Sequence, residues 1–556
     1  MDHDLTCDVL VVGGGLAGLT AALAAREAGA DAVLACAGVL GTGGDSAIAS
    51  GGFAVADART GDSVAAHRAD TLRSAHGLAS PEVVDAVTTD APDLLGRLRG
   101  LGVEVAVGED GEIAFAPIPG HSFPRSVRCR GGGTSALMTP LVAAVRRSGV
   151  RVAEHAFVTA LLRDTTGVRG ARVVDQRAGT RSIARAGAVV LAAGGLGQVF
   201  AHTSNSPDVF GSGYALALEA GCSLVDLEFV QFTPTALVAP QFAAGMSPGG
   251  ALMAQPGVVL RNGLGERFMP RYDPVNAENT TRDVLARAIH QEVQEGRGTP
   301  HGGAFLDLSG TTRDHIADIS GRFLRAMDDG GWDPFAASVE VAPEAHFCMG
   351  GVPVTADGLT EVPGLYAAGE VAVGLHGANR LNSNALTEAG VTGRRAGLAA
   401  ADRARTRLPH DEAGLPAAVG LTDAAADPRW DDLRAELREV VQIHGGVVRD
   451  DAGLREGLRR LEEVERRVEG HASSWRDDLR RTELVQMCLV GRVLLTAAHR
   501  RTESRGSHFR ADHPAPVPAA MHHRVRLAGG ELLVEDVPGG STSDLVRASI
   551  GAGAVA

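Results

Sequence analysis

The chain has no lysine, few aromatic residues and no closely spaced cysteines. Arginine supplies all 53 basic side chains, and with abundant alanine and glycine this skew fits GC-rich coding rather than a functional signal. Aromatic residues make up only 4% of 556, so aliphatic side chains must fill the core. The six cysteines (Cys7, Cys36, Cys129, Cys222, Cys348, Cys488) form no C-x-x-C pair. That fits a reducing compartment and excludes an iron–sulfur cluster built from this chain alone. No apolar run approaches the roughly 20 residues of a membrane span. The acidic N-terminus runs straight into an apolar stretch, so a cytoplasmic protein without a signal peptide is expected. A net charge of −14 argues against nucleic acid as a partner. The length exceeds what one core can serve and implies roughly two to four domains.

What is present begins at the N-terminus. Cys7 to Val12 is a short apolar run suited to a buried parallel strand. Gly13, Gly15 and Gly18 follow with G-x-G-x-x-G spacing, around Leu16 and Ala17. The first glycine permits the tight turn, the second lets the backbone approach a pyrophosphate, and the third lets the helix pack closely. Leu19 to Ala28 are strong helix formers, and the free N–H groups of that helix would face the phosphates. A second strand is predicted over Ala32–Leu34. Many dinucleotide sites carry an acid after it for the ribose, but Ala35 and Cys36 stand here. Far downstream, Gly364 to Glu370 and Gly374 to Arg380 can hold the other end of the same cofactor and set a fixed cation beside it. Ala188 to Gly195 reads as a buried strand ending in two glycines, which lets it pass under the cofactor.

Six regions follow from the rhythm of the sequence. Residues 1–235 form the first part of the cofactor domain, 236–345 an inserted capping domain, and 346–405 the return to the cofactor domain. A Pro/Ala/Asp-rich linker spans 406–429. Helical periodicity marks 430–515, and a partly strand-like tail occupies 516–556. The charged stretch Glu462–Glu469 is expected to be an exposed helix face. The pair His522-His523 lacks acidic or cysteine companions at ligand spacing and is expected to be solvated. No metal site is indicated.

In combination, several segments resemble the flavoprotein family of L-aspartate oxidase and the succinate dehydrogenase and fumarate reductase flavoproteins. They are the N-terminal fingerprint, Leu227–Thr235, Glu266–Met269, Thr281–Ile289, Ala345–Gly351, the Gly364–Glu388 block and Arg501–Pro514. The L-aspartate oxidase pattern is the closest. The resemblance implies an α/β fold class: a Rossmann-type FAD-binding domain with an inserted α+β capping domain and a C-terminal helical domain. It also implies hydride transfer between a small carboxylate or amino-acid substrate and FAD. In that reading Arg380 and His346 hold a substrate carboxylate, and Arg282 moves a proton. The cofactor would be held by Gly13, Gly15, Leu16, Ala17 and Gly18; by Gly43, Gly44, Ser46, Gly51 and Gly52; and by Ala193 and Gly194. Gly369, Glu370, Asn379, Arg380, Ser383 and Leu386 would complete that set, with His376 beside the flavin. The stretch Ser46–Gly52 lacks the histidine that attaches FAD covalently in the respiratory enzymes, so noncovalent FAD is implied. Electrons would pass to or from O₂, a free acceptor or a separate reductase.

Departures from the family pattern fall at the substrate. Thr233 replaces the histidine of Phe-His-Pro-Thr, Gly250–Gly257 lacks the Thr-Glu motif, and Ile118 stands where aspartate oxidases carry a glutamate before Gly120-His121-Ser122. Losing two or three charge-assisted partners would cost aspartate about 3–6 kcal/mol. Ile118, Thr233, His121 and Ser122 are therefore candidate substrate contacts, and Ile118, Leu252, Met253 and Pro256 are expected to make that end of the pocket apolar. The main reading is oxidation of an amino-acid-like acid whose distal end is not a simple carboxylate. An authentic L-aspartate oxidase, a soluble fumarate-reductase-like ene-reductase and a non-catalytic flavin-binding partner are the alternatives.

Overall fold

Parallel pairing of short apolar runs sets the position of everything else. In the computed structural model, β1 (Leu5–Val12) lies parallel between β2 (Ala32–Ala35) and β3 (Arg181–Leu191). The structure describes residues 5–405, 423–470, 472 and 474–553, apart from 50, 119, 131, 132 and 281. Most of the expected linker, residues 406–422, thus lies outside the described residues. The strand Arg151–Ala153 extends the sheet beyond β2, and Gly167–Asp175 and Ala156–Asp164 extend it antiparallel beyond β3. Side chains of β1 alternate between two cores: Leu10 and Val12 enter one, Val9 and Val11 the other. A sheet covered on both faces explains why its central strand is continuously apolar over Val9–Val12. Helix α1 (Leu16–Glu27) covers the second face.

The capping unit is a four-stranded antiparallel sheet joined by helices. Strand β4 (Val230–Ala239) opens it, helices α2 (Arg282–Gln294) and α3 (Arg313–Asp329) follow, and β5 (Val339–Cys348) pairs back onto β4. Ala304–Asp307 and Val259–Arg261 complete the sheet. Both long strands serve two cores. Val230 and Phe232 of β4 and Ala345 and Cys348 of β5 lie in the cofactor-domain core, whereas Leu237, Val339 and Val341 lie in the cap core. The middle of each strand is therefore fixed from both ends.

The chain then returns through β6 (Leu365–Ala367), parallel to β3, and α4 (Asn384–Ala404). Helix α4 crosses α1 at close range: a Cβ at Gly393 would meet Ala17 O at 2.3 Å. Three helices, α5 (Arg429–Gly445), α6 (Asp451–Val468) and α7 (Trp475–Arg500), pack Leu433, Leu437, Met487 and Val490 against the first face of the sheet. A reciprocal Ser474–Asp477 capping box starts α7, and Asp477 also accepts a hydrogen bond from Trp430 Nε1.

The tail corrects one expectation. Strands β7 (Met521–Ala528) and β8 (Glu531–Pro538) form a hairpin that pairs with Leu224–Val225. His522 and His523, expected to be solvated, are buried. His522 Nδ1 lies 2.5 Å from Asp226 Oδ2, and the backbone N–H of His523 donates to Asp226 Oδ1. Arg501 donates to Asp226, Glu228 and Glu503 in the same cluster. Burial works against the charged imidazole of His522, but the Asp226 carboxylate outweighs it and raises the His522 pKa. The acidic companions were present, but 296 residues away.

Replacing His522 with alanine leaves Asp226 short of a partner in the core. We expect a loss of about 3–5 kcal/mol at pH 6, read by urea unfolding. The raised imidazole stabilises most below its ordinary pKa of 6.5 and loses that contribution as pH rises through the folded value. The deficit of His522→Ala should therefore shrink toward alkaline pH.

Candidate active site

A cavity of about 830 Å³ runs from the end of β1 to the middle of β4 and the C-terminal end of β5. At the β1 end it is bounded by Gly13, Gly15, Leu16 and Ala17, then by Gly43, Gly44, Ser46, Gly51 and Gly52. Ala193, Gly194, Gly369, Glu370, Ser383 and Leu386 bound the same half. Gly13 holds φ +117°, and a Cβ on it would meet Ala192 O at 2.1 Å. Gly18 lies behind the wall, where a Cβ would meet Gly13 O at 1.8 Å; it serves the packing of α1 against the turn. Helix α1 has no acid in its first turn, and Ser46 Oγ accepts the Leu16 N–H at 3.0 Å. Such a terminus favours an anion.

Three carboxyl groups stand in this half: Asp208, which accepts the Gly44 N–H at 3.0 Å, Asp45 and Glu370. Asp45 Oδ1 accepts the Ser206 N–H, while its buried Oδ2 has no partner among the described residues; burial pushes this carboxyl up to about 7. Glu370 accepts the Cys348 N–H at 2.9 Å, and burial followed by the charge of Asp45 holds its carboxyl well above the usual range. A glycine cradle at a helix terminus beside an unpartnered buried carboxyl oxygen fits a dinucleotide, with phosphates at the helix and sugar-type hydroxyls at the acids.

The other half carries the cations. Arg282 begins α2, His346 and Phe347 lie on β5, Thr233 on β4, and Arg380 follows the Gly374–Gly377 turn; all five border the cavity. Gln231 Oε1 accepts from both Nε and Nη2 of Arg380, at 3.1 and 2.8 Å, and the Arg380 guanidinium sits 4.6 Å from the Phe347 ring centroid. Burial, then the charge of Arg282, lowers the Arg380 pKa to about 10, which leaves it protonated at neutral pH. His346 Nδ1 lies 2.8 Å from Ser204 Oγ. Burial and the flanking Arg380 and Arg282 push the His346 pKa well below 6.5, so its ring is neutral. Arg282 is itself lowered by burial. Neither Arg282 nor Arg380 has a carboxylate within ion-pair distance among the described residues.

Several expected contacts lie elsewhere. Ile118, His121 and Ser122 do not border the cavity. Ser122 donates through N–H and Oγ to Asp70, which the buried Arg125 holds at 2.9 Å, and His121 Nε2 lies against Asn382 O. That ionic anchor keeps the segment behind Ser383. Asn379 also stands back, its Oδ1 accepting from Gln231, and His376 pairs with Glu388. Leu252 and Met253 do not make the pocket apolar: they are buried in the cap core, and Pro256 is exposed away from the cavity. Met246, Ser247, Gly249 and Arg322 occupy that end instead. Sequence reading also missed the clamp by Gln231 and the support by Ser204. Gln231 sat inside a quoted motif, but an amide carries no charge to flag it.

Comparison with known proteins agrees with this geometry. Residues 8–386 match the FAD binding domain family, and residues 434–526 match the fumarate reductase flavoprotein C-terminal family. The chain belongs to the aspartate oxidase and fumarate reductase flavoprotein family. It is 38% identical to L-aspartate oxidase of Caulobacter vibrioides, over 94% of this chain and 96% of that one. It is 38% identical to L-aspartate oxidase of Streptomyces coelicolor, over 92% and 89%. Among solved structures, Mycobacterium smegmatis Sdh1 in complex with UQ1 superposes with a TM-score of 0.86 at 32% identity, covering 96% of this chain and 95% of that one. The chain is thus an FAD-dependent oxidoreductase of this family. No helix among the described residues is long and apolar enough to cross a membrane.

Two outcomes follow. Gly18→Ala forces a backbone clash beneath the phosphate turn, so FAD affinity should fall at least about tenfold; flavin absorbance of the purified variant checks it. Glu344, opposite Thr233 in the β4–β5 register, is buried with Oε1 unpartnered, and burial pushes its carboxyl up to about 9. Folding keeps this group protonated, so stability should fall as pH rises from 4.5 toward 9, by up to about 1.4 kcal/mol per unit. Glu344→Gln should flatten that loss in thermal melts between pH 5 and pH 8.

Proposed function

We propose that the chain oxidises an amino-acid-like carboxylate, with FAD held noncovalently. The observation that carries this reading is the meeting of Arg282, His346 and Arg380 in one cavity with the glycine cradle. FAD, when bound, supplies the acceptor for the hydride leaving the substrate carbon. Arg380 grips the substrate carboxylate with the guanidinium edge that Gln231 leaves free. His346, neutral and braced by Ser204, hydrogen-bonds the same carboxylate without adding charge. Arg282, whose proton is loosened by burial, moves the proton at the reacting end. Noncovalent attachment is supported by the cavity wall, whose only histidine among the described residues is His346, in the substrate half.

A second reading, an L-aspartate oxidase with an unusual pocket, is favoured by the 38% identity to the Caulobacter enzyme. Against it, Thr233 offers a small hydroxyl where a dicarboxylate needs a cation, and Leu252 and Met253 are turned into the cap core. Anaerobic mixing of the yellow protein with L-aspartate and larger amino acids separates the two. We expect larger acids to bleach the flavin band at concentrations at least about tenfold below L-aspartate, and Arg380→Ala to abolish bleaching. Bleaching by L-aspartate as efficient as by any larger acid would establish the second reading. Bleaching by no amino acid would overturn both.

A further inference from the structure

In the half of the cavity that holds Arg282 and Arg380, one further cation has no assigned role. Arg322 lies on α3, exposed, at the end of the cavity formed by Thr233 and the 244–249 loop. It has no hydrogen-bond or ion-pair partner among the described residues. Farther along the chain, Asp328 pairs with Arg313, as does Asp333 just beyond the helix. The backbone around it is held in place. Helix α3 breaks at Ser320 (φ −138°, ψ 41°), and Ser320 Oγ donates to Pro248 O. The 244–249 loop is tied to β4 by reciprocal bonds, Gly245 N–H to Leu237 O and Leu237 N–H to Met246 O. The turn that presents Arg322 is therefore docked against the loop that shares its end of the cavity.

We propose that Arg322 is the distal specificity residue of this site. It would bind a second oxyanion of the substrate, carried beyond the position of the aspartate side-chain carboxylate. This rests on the reading above, in which Arg380 and His346 take the first carboxylate. Four guanidinium groups border this one cavity: Arg128 at the glycine-lined end beside Gly52, Arg380 and Arg282 inside the other half, and Arg322 at its exposed rim. Arg282 weighs electrostatically on both Arg380 and His346, as expected of an inner neighbour. No other cation borders the far end, since Thr233 is uncharged and Leu252 and Met253 face the cap core. A guanidinium fork suits a carboxylate or a phosphate-type group equally. The ligand class is an α-amino or α-unsubstituted carboxylic acid with a terminal oxyanion at the end of a chain longer than that of aspartate.

The test uses the holoenzyme and non-reacting probes. Succinate, glutarate and adipate are titrated against butyrate, valerate and hexanoate, with binding read from the flavin difference spectrum. In the wild type, glutarate or adipate should bind about 10- to 100-fold tighter than the monocarboxylate of equal length. Arg322→Ala and Arg322→Gln should bring that ratio to within about twofold of unity while leaving monocarboxylate affinity unchanged, and Arg322→Lys should keep part of the preference. Arg380→Ala should weaken both series together. An unchanged ratio in Arg322→Ala, or no wild-type preference for the second anion, overturns the assignment but leaves the Arg380 reading standing. Failure of the wild type to bind either series overturns both.

Discussion

Two guanidinium groups held out of water without a carboxylate nearby impose the main constraint on this structure. Desolvating a cation is expensive, and the usual remedy is a paired anion. Arg380 has instead a neutral amide from Gln231, the face of Phe347 and the more distant charges of Glu370 and Glu388. Arg282 has less. The missing counter-charge has to come from whatever enters the cavity, so affinity for an anion is built into the resting protein. Burial first, and the same field second, keep His346 unprotonated, giving one charged and one neutral donor side by side.

Rigid placement of these groups depends on β4 and β5. Each strand is packed into the cofactor-domain core at one end and the cap core at the other, so Gln231, Thr233, His346 and Phe347 are presented from a span anchored twice. Arg282 arrives on a cap helix and Arg380 on a turn of the cofactor domain. The site is therefore a seam between two bodies, which is where small-molecule sites commonly form.

How much of this was legible in the sequence depended on range. The glycine turn after β1 could be read because strand, turn and helix are neighbours in the chain, and the helical character of the C-terminal region could be read from its period, though not its division into three helices. The family resemblance reached Arg282, His346 and Arg380 because they sit inside recognisable segments. What could not be read were contacts that only the folded chain creates. Ser122 is turned away by an Asp70–Arg125 anchor, Leu252 and Met253 are claimed by the cap core, and His522 finds Asp226 across nearly 300 residues. Arg322 carried no motif; its place on the cavity wall at the end formed by Thr233 and the 244–249 loop is what distinguishes it.

The tail cluster also bears on the order in which the protein can be made. Asp226 and Glu228 belong to the cofactor domain, yet Arg501 and His522 come from the last tenth of the chain. Until those residues have been synthesised, two carboxylates destined for the interior have no cation to meet. They must remain hydrated, and the surface they occupy must stay open. Vectorial synthesis from the N-terminus therefore cannot finish the flavin-holding body early: the ribosome has to deliver the 296 residues that separate Asp226 from His522 before that interior can close.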